Sequence, residues 1–172
     1  EMGNDFVCLL SSDGEVHCLG RPPLTLETAP LTTLTPILSP NAFTKMRASD
    51  DVLCLQPQAS AELVCYGDNR YGQLGILEPD TSVSQHAWRQ PTQQDGTPLA
   101  LELGLTEVID FEVGPAHGCA IGKSPESNRF DKITVSCWGL DTHGQSSFTT
   151  ATTDTPANFR PPVDMSWYTA TP

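Results

Sequence analysis

The chain has 172 residues, nine basic against 21 acidic, and a formal charge of −12. That length suits one folded domain with a moderate core, and the acidic balance cannot neutralise phosphates in bulk, which argues against nucleic acid or an anionic membrane surface as partner. No apolar run reaches the roughly 18 residues that membrane insertion of a helix needs, and 15 prolines with 13 glycines interrupt any long helical period.

Short β-type runs dominate instead. Phe6-Val7-Cys8-Leu9-Leu10 and Glu15-Val16-His17-Cys18-Leu19 flank Ser11-Ser12-Asp13-Gly14 and read as a hairpin turning at Asp13-Gly14. Residues 24–40 are rich in Thr and Pro and read as surface loop. Thr44-Lys45-Met46-Arg47-Ala48 then forms a leading strand for a second hairpin, Val52-Leu53-Cys54-Leu55 with Glu62-Leu63-Val64-Cys65-Tyr66. Val108-Ile109-Asp110-Phe111-Glu112-Val113 leads a third, Gly118-Cys119-Ala120-Ile121 with Ile133-Thr134-Val135-Ser136-Cys137-Trp138. A second Thr/Pro-rich stretch covers 149–162. These two stretches are also candidates for O-linked sugars or for extended segments that pair across units. No Asn-x-Ser/Thr sequon occurs. Residues 163–169 read as the leading strand of a further unit, whereas the first unit has its hairpin without a leading strand. The chain starts at Glu1, which fits a processed product or a piece of a longer chain.

The six cysteines therefore fall into three equivalent frames, each ending Cys-apolar-Gly. Equivalent first cysteines lie 46 residues apart from Cys8 to Cys54 and 65 apart from Cys54 to Cys119. Such a spacing suits four-stranded propeller blades with variable loops. Six cysteines allow 15 pairings; the repeat selects Cys8–Cys18, Cys54–Cys65 and Cys119–Cys137, each across one hairpin. The alternative is zinc, whose knuckles usually begin with two cysteines two to four residues apart, and no C-x-x-C is present. Three regular disulfides imply an oxidising compartment, extracellular or at the cell surface.

After the second hairpin comes Gly67-Asp68-Asn69-Arg70-Tyr71-Gly72-Gln73-Leu74-Gly75. The third unit carries a weaker copy through Gly139, Gly144 and Gln145, with Ser146-Ser147 in place of Leu-Gly. On these residues the chain resembles the regulator-of-chromosome-condensation repeat family, and most of all its cysteine-bearing branch of secreted and receptor proteins. The resemblance implies an all-β partial propeller of about three four-stranded blades with one disulfide each, where complete members close with about seven blades. It divides the single repeat domain, 1–172, into a partial blade 1–43, full blades 44–104 and 105–162, and a leading strand 163–172. Gly67, Gly72 and Gly75 serve tight turns or close backbone approach, Asn69 bonds its own turn, and Gln73 with Leu74 locks the returning segment to the blade.

Catalytic signals are weak. The four histidines, His17, His86, His117 and His143, show no ligand spacing. No nucleophile elbow occurs, paired cysteines leave no free thiol, and the carboxylates follow no calcium-loop pattern. The expectation is no enzyme, no metal and no cofactor. Trp138 and Tyr66 follow the second cysteine of their units and are expected to pack inside. Tyr71, Trp88, Phe148, Trp167 and Tyr168 are the candidate interface, since loop aromatics concentrate binding energy. The resulting expectation is an extracellular, non-enzymatic interaction or structural module that presents loops to a protein partner. The alternatives are a filament or coat subunit that binds further copies of itself by strand exchange between half-blades, and a secreted enzyme inhibitor. Neither nucleic-acid binding nor membrane insertion is expected.

Overall fold

A computed structural model describes residues 1–23, 29–37, 43–58, 63–69, 71–74, 106–123 and 133–140. They form nine strands in three antiparallel sheets. The first sheet contains β1 (Phe6–Leu10), β2 (Val16–Gly20) and β3 (Leu31–Ile37). The second contains β4 (Phe43–Ser49), β5 (Val52–Pro57) and β6 (Val64–Gly67), and the third β7 (Glu107–Val113), β8 (His117–Lys123) and β9 (Ile133–Gly139). Each sheet thus has three described strands rather than the expected four. In the second and third sheets the leading strands β4 and β7 line the hairpin, and no described residue pairs beyond β6 or β9.

In the first sheet β1 is the first described strand, and Glu1 and Met2 lie along its edge, on the side where β4 lines β5 in the second sheet. The Cys8 N–H donates to Glu1 O at 3.0 Å, the Glu1 ammonium donates back to Cys8 O at 3.0 Å, and Met2 bridges Val7. The third strand here, β3, comes from the Thr/Pro-rich stretch that the sequence presents as loop. Its threonines suit a pleated surface, and Pro36 is tolerated because β3 lies at the sheet edge, where a missing N–H breaks no ladder.

Stacking of the sheets explains the burial. β1 and β2 alternate buried and exposed, as strands covered on one face do. β5 is buried at all six positions because both of its faces are covered. Leu53 and Leu55 pack towards the first sheet with Phe6, Cys8, Val16 and Cys18. Val52 and Cys54 point the other way, into a cluster with Phe111, Val113 and Trp138 of the third sheet. Each fully buried leucine contributes roughly 1.5–3 kcal/mol. Tyr66 and Trp138 are both fully buried, and burial holds the Tyr66 phenol above its usual range, so it stays neutral.

The cysteine pairs Cys8–Cys18, Cys54–Cys65 and Cys119–Cys137 form disulfides, and no described cysteine is free. Each pair lies directly opposite in register, with Cα atoms 4.2, 4.1 and 4.0 Å apart. That is the narrow, non-hydrogen-bonded kind of cross-strand pair, so the backbone groups of the first cysteine point to the inner strand, as the Cys8–Glu1 bonds show. The disulfides recur on one face of each sheet. The first two face the next sheet along the chain, and Cys119–Cys137 lies on the outward face of the third.

Closing loops of about 10 to 18 residues is worth roughly 3 kcal/mol per disulfide. The doubly substituted Cys54→Ser, Cys65→Ser chain is therefore expected to lose about 3 kcal/mol of unfolding free energy in urea melts under non-reducing conditions. An unchanged midpoint would show that the bridge does not constrain the unfolded chain.

Candidate functional site

Two features join the sheets beyond apolar packing. The first is a row of charges on the inner strands. Glu1, Arg47 and Glu112 occupy equivalent places, each opposite or bonded to the first cysteine of its sheet, Cys8, Cys54 and Cys119. Their signs alternate. Arg47 Nε donates to Glu112 Oε2 at 3.0 Å, its NH2 group donates to Asp110 Oδ1 at 3.3 Å, and its NH1 group lies 3.9 Å from Glu1 Oε1. The guanidinium also sits 5.9 Å from the centre of the Phe111 ring, within range of a cation–π contact. Lys45 Nζ donates to Asp110 Oδ1 at 3.2 Å and to the carbonyl of Ile109. The hydrogen bond from Lys45 is the first cause that holds the Asp110 carboxyl below its usual range. Deeper in, Gln56 Nε2 donates to Val108 O at 2.8 Å.

The second feature is the turn after β6. Gly67 has φ 120°, and a Cβ there would lie 1.8 Å from Asp51 O. The chain must come this close because the Asp68 N–H donates to that same carbonyl at 3.1 Å. Gly20 and Gly139 repeat the arrangement, with Arg21 N–H bonded to Asp5 O and Leu140 N–H to Ala116 O, both at 2.8 Å. Beyond Gly67 the buried Asn69 accepts the Leu74 N–H at 3.0 Å on Oδ1, and the Gly72 N–H donates to Asn69 O at 3.1 Å. Buried Gln73 accepts the Tyr71 N–H at 2.8 Å and donates from Nε2 to Pro115 O at 3.4 Å. Trp138 Nε1 donates to Gln73 O at 2.7 Å. The turn of the second sheet is thereby tied to the third. The Trp138 ring lies over Gly118, where a Cβ would come within 2.6 Å of it.

Of the candidate interface residues, Tyr71 is exposed on this turn. Trp88, Phe148, Trp167 and Tyr168 lie outside the described residues, as do Gly75, Gly144 and Gln145 of the turn motif, His86, His143 and the strand expected at 163–169. His17 Nε2 lies 3.4 Å from Glu15 Oε2 at the end of the first hairpin, beside the turn in which Ser11 Oγ accepts the Glu15 N–H at 2.9 Å. Among the described residues no group of three His, Cys, Asp or Glu is placed to hold a metal ion, and no helix is long and apolar enough to cross a membrane. The charged row was missed by sequence reasoning. Its signal was available as Lys45-x-Arg47 and Asp110-x-Glu112, opposite charges at the same spacing in two equivalent strands.

No family model and no curated protein matches the chain. Solved structures do. Human WBSCR16 superposes with a TM-score of 0.67 at 15% identity, over 99% of this chain and 38% of that one. Saccharomyces cerevisiae Prp20, the yeast RCC1, superposes with a TM-score of 0.56 both in its complex with Kap60, at 10% identity over 94% of this chain and 36% of that one, and in a structure reported with its binding to Gsp1p and histones, at 14% identity over 94% and 37%. The chain thus spans under two-fifths of the length of these proteins. The likeness shows the fold alone: the chain's stacked antiparallel sheets superpose on part of the RCC1-like β-propellers.

Gly67→Ala combines a left-handed φ with a backbone clash, whereas Gly72 at φ 75° has its nearest foreign atom 3.8 Å from a built Cβ. Gly72→Ala should cost about 1 kcal/mol of unfolding free energy from strain alone, and Gly67→Ala at least about 2 kcal/mol more; equal losses would mean that crowding by Asp51 is relieved by backbone movement.

Asp110 has a lowered folded-state value, so its stabilisation is present above the unfolded carboxylate value of about 3.9 and is lost as pH falls through the lowered value. Asp110→Asn should therefore lower stability at neutral pH only slightly, by less than about 1 kcal/mol for a half-exposed group. It should also flatten the stability curve below about pH 4, read by urea melts across that range.

Proposed function

We propose that the chain is an extracellular, non-enzymatic interaction module whose propeller blades present their connecting segments to a protein partner. The observation that carries this reading is the construction of the stack. Each sheet is cross-linked through its hairpin by a disulfide, each neighbouring pair is fastened by core and charges, and the second pair also by the turn at residues 67–74, which leaves a frame that holds the connecting segments. Rigid elements that carry variable loops are the usual design of binding scaffolds. The disulfides support an oxidising compartment. Protein binding is also what is recorded of Prp20, which was solved with Kap60 and studied with Gsp1p and histones. The blade limits 1–43, 44–104, 105–162 and 163–172 belong to this proposal, with the turn at Tyr71 as part of the presented surface.

Two expression routes separate this reading from an intracellular one. Chain secreted through an oxidising pathway is expected to carry three disulfides and resist protease, while cytosolic chain carries none and is cleaved at least tenfold faster. Secreted chain immobilised against extracellular fluid of its source should retain a protein that Tyr71→Asp releases. Equal protease resistance from both routes, or retention of no protein, would overturn the reading.

A further inference from the structure

We infer that Gln73 is a positioning residue that makes the turn of Tyr71 a joint property of the second and third sheets, so that a partner held at Tyr71 and the docking of the third sheet strengthen each other. This rests on the reading of Tyr71 as part of the presented surface, and adds what regulates that surface.

The turn has two kinds of anchorage. At its start it is tied to its own sheet, where the Asp68 N–H donates to Asp51 O at 3.1 Å. Asn69 then closes the turn on itself, since its Oδ1 accepts the Leu74 N–H and its carbonyl accepts the Gly72 N–H. From residue 72 onward the contacts change sheet. Gly72 lies against Gly139 of β9, whose Cα is 3.8 Å from a Cβ built on Gly72. Gln73 Nε2 donates to Pro115 O, in the turn between β7 and β8, and Gln73 O accepts the Trp138 Nε1–H. Tyr71 therefore stands between a tether to the second sheet and a tether to the third.

Gln73 is where the two tethers meet. Its Oε1 accepts the Tyr71 N–H at 2.8 Å while its Nε2 faces a carbonyl of the third sheet. A side-chain amide has one accepting end and one donating end, so these two partners together fix which way round it sits. The amide holds Tyr71 only as well as the third sheet holds the amide. The firmer hold is on the main chain, because the Trp138 bond is 2.7 Å long and the Pro115 bond 3.4 Å. Gln73 is 1% exposed and Trp138 0%. Water has little access to replace either bond, and a lost partner leaves a buried polar group unsatisfied. Undocking of the third sheet therefore releases the Tyr71 N–H as well. Linkage makes the effect reciprocal: a partner that prefers the ordered turn favours the docked sheet by the same factor.

The test is amide hydrogen exchange of the full chain, read at Tyr71 in wild type and two variants. Trp138→Phe keeps an aromatic ring in the core and removes the donor to Gln73 O. Gln73→Glu keeps an acceptor for the Tyr71 N–H and removes the donor to Pro115 O. A purely local turn would keep the Tyr71 amide protected in both, because neither change takes away its acceptor. Coupling predicts that Tyr71 exchange rises roughly tenfold in each, about what loss of one buried hydrogen bond allows. The amides of β5, which pair with β6 inside the second sheet, should stay nearly unchanged. An unchanged Tyr71 amide, or a rise in β5 equal to that at Tyr71, overturns the coupling. Protein retained from extracellular fluid by immobilised Trp138→Phe chain should fall at least about fivefold, and undiminished retention on a loosened turn overturns the link to binding. If wild-type chain retains nothing while Tyr71 exchange still rises in both variants, the interaction reading fails and the tie of turn to sheet stands.

Discussion

The rest of the structure depends on the second sheet being covered on both faces. A strand with one wet face can carry alternating polarity, but β5 cannot. Its side chains must satisfy two cores at once, with Leu53 and Leu55 on one side and Val52 and Cys54 on the other. Parity then propagates. A one-residue slip of β5 against β6 would move the cysteine to the wrong face and exchange both cores together. The disulfide between Cys54 and Cys65 pins that register at the centre of the hairpin, where it spans the narrow pair that a slip would destroy.

Parity also sets what the inner strands must do. With the first cysteine of each bridge in a non-hydrogen-bonded pair, its backbone groups turn inward, and the residue opposite them stands at the inner edge of the stack. Glu1, Arg47 and Glu112 hold these places. Neighbouring inner strands lie close enough for their side chains to meet, so a row of one sign would repel. The chain has few basic residues, and two of them, Lys45 and Arg47, stand between the acids of the flanking strands. Exposed ion pairs add little individually. Their alternation opposes pairing of the wrong sheets, a contribution to specificity that their modest stabilisation does not reveal.

The hairpins were legible in sequence because their determinants are local. Asp13-Gly14 sets a turn, alternating apolar residues set the faces, and Cys-apolar-Gly marks the point where the second strand crosses back against the start of the first. Gly67 shows why that glycine recurs, since its neighbour must reach the Asp51 carbonyl from a backbone no side chain fits. β3 was illegible for the opposite reason. Threonine and proline signal loop in isolation, and only the free edge of β2 makes a strand of them. Four-strandedness was inferred from the repeat, and the described residues hold three strands per sheet. The charged row was legible in part. The two alternate-residue patterns, Lys45-x-Arg47 and Asp110-x-Glu112, are visible, but their meeting depends on the stacking of β4 and β7, which no local signal encodes.

Buried polar chemistry in this molecule is spent on position. Asn69, Gln73 and Gln56 are buried, and the bonds they make run to main-chain groups of turns or of the neighbouring sheet. Trp138, the largest fully buried side chain among the described residues, uses its single donor on the Gln73 carbonyl. Leaving any of these unsatisfied costs more than making the bond gains, so together they admit one placement of the third sheet against the second. Among the described residues the shifted carboxyls, Asp13 and Asp110, are both lowered, chiefly by hydrogen bonds from Ser11 and Lys45. The buried polar groups thus fix the placement of the sheets relative to one another.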